Sequence, residues 1–137
     1  MIVMYVGESR QPEIKIIGPS DTYEALKKYQ NKRKEHFLVL TLNGAHNVIA
    51  VRLVSMGLVN RTIVHPREVF YWAIKDNACA VILAHNHPSG NIDPSPEDQE
   101  ITKRLQQAGE ILGITVLDHL VITKTRYYSF LANGLIK

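Results

Sequence analysis

Apolar and polar positions along this chain change their period several times, and each change predicts an element. "PEIKII" reads as a short strand. "PSDTYEALKKYQNKRKE" predicts a helix opened by Ser20 or Asp21, with Asp21 and Glu24 spaced as a capping box. "HFLVLTL" and "NVIAVRLVS" are β-rich runs joined around Asn43-Gly44, a hairpin signal. "HPREVFYWAIKDN" returns to helical spacing with Pro66 suited to its first turn, and "ACAVILAH" is the continuous apolar run of a buried strand. "SPEDQEITKRLQQAGEILG" predicts a helix ending near Gly113, "ITVLDHLVIT" a strand, and "YYSFLAN" a short terminal helix. Strands and helices alternate without repeats, low-complexity tracts or a linker. The expectation is an α/β sandwich, a mixed sheet flanked by helices, forming one domain over residues 1–137.

Composition narrows the class. A chain of 137 residues, 45% hydrophobic and 21% charged, can bury a core without staples. With 16 basic and 13 acidic residues, a net charge of +3 is too small to argue for nucleic acid by itself. The densest positive cluster, Lys27, Lys28, Lys32, Arg33 and Lys34, reads as a solvated helix end or a weak polyanion surface. Cys79 is the single cysteine, which excludes an intramolecular disulfide, and its place in "ACAVILA" predicts a buried, inert thiol. The start "MIVMYVGESR" has no basic leader pattern, and no run approaches the roughly 18 apolar residues of a membrane span, so the expectation is a cytoplasmic protein with no membrane contact.

The chemistry concentrates in "HNHPSGNIDPSPED", residues 85–98. This loop leaves the C-terminal end of a predicted strand and enters a predicted helix, where clefts in α/β sheets open. His85 and His87 are two residues apart, so in extended chain they leave one face about 6–7 Å apart, a span that one ion bridges. Asp98, on the first turn of the next helix, is placed for loop closure to bring its carboxylate back. Two imidazoles and one carboxylate make a three-ligand set with an open position, the pattern of catalytic rather than structural zinc. The same stretch also fits a helix start, with Ser95 at N-cap, Pro96 at N1 and Asp98 at N3, and spacing alone leaves both readings open. Among other histidines, His65 reads as a cap or an outer partner of the site, His119 beside Asp118 as core-facing or an outer partner, and His36 and His46 as surface residues. Tyr127 and Tyr128 read as packing residues. One cysteine cannot supply the P-C-x-x-C of zinc deaminases, and H-E-x-x-H of helical zincins is not in the chain. The adjacent letters "HNH" differ from the nuclease motif of that name, whose residues are spread over a longer span.

His85, His87, Ser95 and Asp98 match H-x-H-x7-S-x-x-D, and in this the chain resembles the JAMM (MPN+) metalloproteases. "VHPREVF", "VILAHNHPSG", "PSPED" and "LGITVLDHLVI" resemble the RadC-type branch over roughly residues 15–131. The resemblance implies a single MPN/JAB-like (deaminase-like) domain. It also implies one zinc per chain on His85, His87 and Asp98, with Ser95 helping to hold the polarised oxygen and an upstream Glu as general acid/base. It selects Glu35, just before "FLVLTL", from Glu24, Glu35, Glu68, Glu97 and Glu100; the residue pattern alone leaves Glu35 at a solvated helix end. The implied reaction is hydrolysis of a peptide or isopeptide bond in a protein or peptide substrate. Zinc would lower the pKa of its water towards about 7, and Glu35 would take that proton and return one to the leaving amine. RadC-type proteins commonly carry an N-terminal segment resembling helix-hairpin-helix DNA-binding modules. Fewer than 35 residues precede Glu35, so no such module is expected and DNA association should be weak. The alternative is a DNA-associated accessory or repair protein with a structural or vestigial metal site; a homodimer is left open. For Glu35 to serve, "FLVLTL" must lie beside "AVILAH" in the sheet.

Overall fold

The computed structural model describes residues 14–57 and 64–137. Five strands form one mixed sheet: β1 (Glu35–Leu42), β2 (Val48–Gly57), β3 (Ala80–Asn86), β4 (Thr115–Ile122) and β5 (Tyr127–Ser129), in the order β2-β1-β3-β4-β5. Only β3 and β4 run parallel, and the helix between them supplies the crossover such a pair requires. The β1–β2 hairpin forms where Asn43-Gly44 predicts it. Its turn is longer than two residues, and His46 rather than Gly44 takes the left-handed conformation (φ 65°). The Asn43 side chain organises it by accepting the amides of Ala45 and Asn47.

Alternation along β1 and β3 sorts the core into two layers. Phe37, Val39, Val81 and Leu83 pack with Val69, Phe70 and Leu105 of α2 (Pro66–Lys75) and α3 (Pro96–Leu112). Leu38, Leu40, Leu42, Ile82 and Ala84 face the other way, against Leu26 and Tyr23 around α1 (Pro19–Ala25). The sheet is thus covered on both faces, as the α/β sandwich reading requires. Pro66 and Pro96 sit at the first turns of α2 and α3, and Gly113 ends α3 in the left-handed conformation (φ 73°). Among the described residues, no helix is long and apolar enough to cross a membrane.

Several sequence expectations are corrected. The first helix is short: Gly18 is its N-cap, Asp21 is N3 and accepts the amides of Ile17 and Gly18, and a 3-10 turn over Lys27–Tyr29 follows. Those two bonds also hold the Asp21 carboxyl below its usual value. Beyond it the Asn86 amide donates to the carbonyls of Lys32 and Lys34, tying the basic segment to the sheet. Glu35 therefore begins a strand and is only 5% exposed, instead of ending a helix in solvent. "PEIKII" contributes one bridge, Lys15 to Asn47, and its Pro12 and Glu13 lie outside the described residues. "YYSFLAN" holds the edge strand β5 followed by turns, because the buried Asp118 carboxylate accepts the Ser129 hydroxyl and the Leu131 amide. His36 is buried at 8% exposure, its amide donating to Asn86 Oδ1. Cys79 is exposed: it precedes the buried run of β3 and faces the hairpin turn at Gly44.

Candidate metal centre

The side-chain parity of two neighbouring strands builds the centre. In the antiparallel β1–β3 pair Phe37 stands opposite His85, so Glu35, two residues back, comes beside His87, two residues on. All three share the α3 face of the sheet. The rings of His85 and His87 lean together to a centroid separation of 4.6 Å, closer than straight extended chain gives, and their Nε2 atoms face each other at 2.9 Å. Glu35 Oε2 lies 3.5 Å from His87 Nε2 and 3.9 Å from His85 Nε2.

The fourth group arrives from α3. Ser95 is the N-cap: its Oγ accepts the Asp98 amide (3.0 Å) while its own amide donates to Asp98 Oδ2 (2.8 Å), a reciprocal capping box with aspartate at N3. That box aims the carboxylate. Asp98 Oδ2 stands 3.4 Å from His85 Nε2 and 3.8 Å from His87 Nε2. The helix start of "SPED" thus also brings the Asp98 carboxylate beside the two histidines.

Burial would raise the Asp98 carboxyl, but the bond and charge of His85 and the Ser95 amide outweigh it and hold the group well below the usual carboxylate range. Burial, reinforced by the His85 charge, lowers His87. His87 Nδ1 is 2.7 Å from the Asn91 carbonyl, which can only accept, so the ring carries its proton on Nδ1 and turns a bare Nε2 inward. The turn that brings Asn91 round passes through Gly90 at φ 87°, conformational space open to glycine.

A tetrahedral zinc with ligands at about 2.0–2.2 Å sets its ligand atoms about 3.3–3.5 Å apart. The separations among His85, His87 and Asp98, 2.9, 3.4 and 3.8 Å, bracket that value. Imidazole nitrogens and carboxylate oxygens are among the donors that bind zinc. Glu35, His85 and His87 also form a possible metal-holding group, their donor atoms within 4.8 Å of one another. A cleft of about 510 Å³ opens onto it, lined in part by Glu35, His87, Ser95 and Asp98.

Of three other residues singled out by the sequence, only His65 departs from its expected role. His65 is the N-cap residue of α2 but its ring makes no capping bond. His46 is exposed in the hairpin turn. Tyr127 packs on Tyr23 at 5.1 Å between ring centroids, a packing residue as expected. Asn86, between the two histidines, was not singled out by its sequence; its side chain is 1% exposed and bonded to the segment that leads into Glu35. No local pattern marks it, since its partners lie about 50 residues away.

Fold and site together define a small α/β domain with a partly buried cluster of two histidines and two carboxylates at the end of its sheet. The chain belongs to the RadC-like JAB domain family, whose family model matches residues 16–135. It is 56% identical over 103 residues to a UPF0758 protein of Methanospirillum hungatei, an alignment covering 75% of this chain and 46% of that protein. A UPF0758 protein of Geobacter sulfurreducens is 50% identical over 108 residues, 79% of this chain and 47% of the relative. One from Chlorobium chlorochromatii is 42% identical over 129 residues, 93% and 58% respectively. The chain thus spans about half the length of the curated relatives it matches.

Proposed function

We propose that this domain is a zinc-dependent hydrolase of peptide or isopeptide bonds, with His85, His87 and Asp98 as metal ligands. The observation that carries the reading is the convergence of the two Nε2 atoms and Asp98 Oδ2 at separations that fit one tetrahedral ion. Asp98 is assigned to ligation over Glu35 because it makes the shortest carboxylate approach to the histidines and its capping box fixes it.

Bound there, zinc would supply a Lewis acid for a carbonyl oxygen and lower the pKa of water to about 7. Glu35, buried and within 3.5 Å of His87 Nε2, takes a proton from the attacking water on its carboxylate and passes one to the departing amine. Ser95 Oγ spends a lone pair on the Asp98 amide, so its hydroxyl hydrogen stays available to donate to the developing oxyanion. Two neutral imidazoles and one carboxylate leave a divalent ion with net positive charge, which favours that oxyanion.

The test is an unbiased substrate search. Zinc-loaded wild type and Glu35→Gln are each incubated with proteome-derived peptides and with lysine-branched isopeptides, and new termini are read by mass spectrometry. Cleavage that disappears in Glu35→Gln, while zinc content stays at about one per chain, is expected. The same termini at equal yield in both proteins would contradict the proposal.

A further inference from the structure

His85 has a second ring nitrogen, and what it touches is fully buried. His85 Nδ1 lies 2.8 Å from His119 Nε2, His119 Nδ1 lies 2.6 Å from Thr102 Oγ1, and Thr102 Oγ1 lies 2.7 Å from the Asp98 carbonyl. The chain of contacts runs from β3 through β4 to α3 and ends on the backbone of the residue whose carboxylate faces His85. His85, His119 and Thr102 are 2%, 0% and 1% exposed, so water does not complete these bonds. The His119 ring is held in place as well, stacked on Phe130 at 4.5 Å and meeting the edge of Phe37 at 5.6 Å.

We propose that Thr102 and His119 form a positioning relay that keeps the Nε2 lone pair of His85 open to the metal. The inference rests on the reading of the site as a metal centre. The order of protons follows from the end of the chain. A carbonyl can only accept, so at 2.7 Å the single hydroxyl hydrogen of Thr102 goes to Asp98. Thr102 Oγ1 must then accept from His119, which places the His119 proton on Nδ1 and leaves its Nε2 bare. That nitrogen in turn accepts from His85 Nδ1–H, and a neutral His85 so protonated has its lone pair on Nε2.

The reverse order also closes the His85–His119 and His119–Thr102 contacts and lets His85 Nε2–H donate to His87 Nε2 2.9 Å away, but it points that hydrogen at the metal position and leaves two oxygens, Thr102 Oγ1 and the Asp98 carbonyl, 2.7 Å apart with no hydrogen between them. His87 reaches the same state by a shorter route, through the Asn91 carbonyl. Both imidazoles are thus oriented by an acceptor that cannot reverse, one directly and one through two side chains. Neither Thr102 nor His119 touches the substrate cleft residues' reacting atoms, and both act through His85.

The test measures zinc affinity by competition with a chromophoric chelator, and ring protonation by long-range ¹H–¹⁵N NMR of the zinc-bound protein. Thr102→Val keeps the shape and removes the hydroxyl; zinc should bind about 10- to 100-fold more weakly, the usual effect of losing an outer-shell partner. Thr102→Ser should recover most of the loss, which a purely steric role for Thr102 does not predict. In wild type the NMR should show His119 protonated on Nδ1 and His85 on Nδ1; this measurement needs no variant, so a poorly folding Thr102→Val leaves it intact. His119 protonated on Nε2 in zinc-bound wild type would overturn the relay. So would Thr102→Val binding zinc as tightly as wild type. If wild type binds no zinc, or binds it equally well after His85→Ala, the metal-centre reading itself fails and the relay with it. Zinc binding that depends on His85 but not on Thr102 removes the relay alone.

Discussion

In the proposed mechanism a structural and a chemical role meet in the one hydroxyl of Ser95. Its oxygen caps α3 by accepting the Asp98 amide, and its own amide steers the Asp98 carboxylate towards His85. Asn and Asp cap helices about as well as Ser, so Ser95→Asn and Ser95→Asp should preserve the fold and zinc content. In the proposed mechanism Ser95→Asp would offer no donor to the oxyanion and its carboxylate would repel that charge, whereas the side-chain amide of Ser95→Asn can still donate. Loss of one such donor typically lowers turnover about 100- to 1,000-fold. Turnover and zinc content of the two variants, measured on a substrate whose cleavage depends on Glu35, check this; a Ser95→Asp variant that turns over at the wild-type rate would reduce Ser95 to a cap.

At the scale of elements, the strands β1, β3 and β4 and the helix α3 were legible because each has a long, consistent period bounded by clear stops: Asn43-Gly44 after β1, Pro96 and Gly113 around α3. The site was partly legible for the same reason. His85 and His87 share a face by spacing alone, and the cap pattern places Asp98 on the first turn of α3. Glu35 was not legible from its neighbours, because its position depends on the register Phe37 opposite His85, and on Asn86 holding the carbonyls of Lys32 and Lys34; both are long-range contacts. The C-terminal error has a similar cause, since Asp118 draws Ser129 and Leu131 into an edge strand and turn that "YYSFLAN" does not announce. Gly109 gives a test of the α3 packing on which Asp98 and Thr102 depend. In an open helix Gly→Ala stabilises by about 1 kcal/mol. Here a Cβ would lie 2.3 Å from the Ile114 carbonyl oxygen and 3.3 Å from Phe70 Cζ, so the backbone must move. Gly109→Ala should therefore destabilise the chain by about 1–3 kcal/mol in chemical denaturation, the opposite sign; a stabilised variant would contradict the close approach of α3 to the start of β4.

For the whole molecule, the sheet, its two helical layers and the loop at the C-terminal end of β3 bring residues from positions 35 to 119 around one point. β1 supplies Glu35, β3 and its following loop supply His85 and His87, α3 supplies Ser95, Asp98 and Thr102, and β4 supplies His119. The proposed coordination sphere rests on separations of 2.9, 3.4 and 3.8 Å among His85 Nε2, His87 Nε2 and Asp98 Oδ2, with the Glu35 carboxylate 3.5 Å from His87 Nε2. The measurement that addresses this most directly is diffraction from crystals of the chain grown with zinc, recorded on both sides of the zinc absorption edge. The account predicts one anomalous peak per chain, about 2.0–2.1 Å from the Nε2 atoms of His85 and His87 and about 2.0–2.2 Å from an oxygen of Asp98, with Glu35 outside the coordination sphere. A peak bound by Glu35 while Asp98 turns away, or one remote from both histidines, would contradict it.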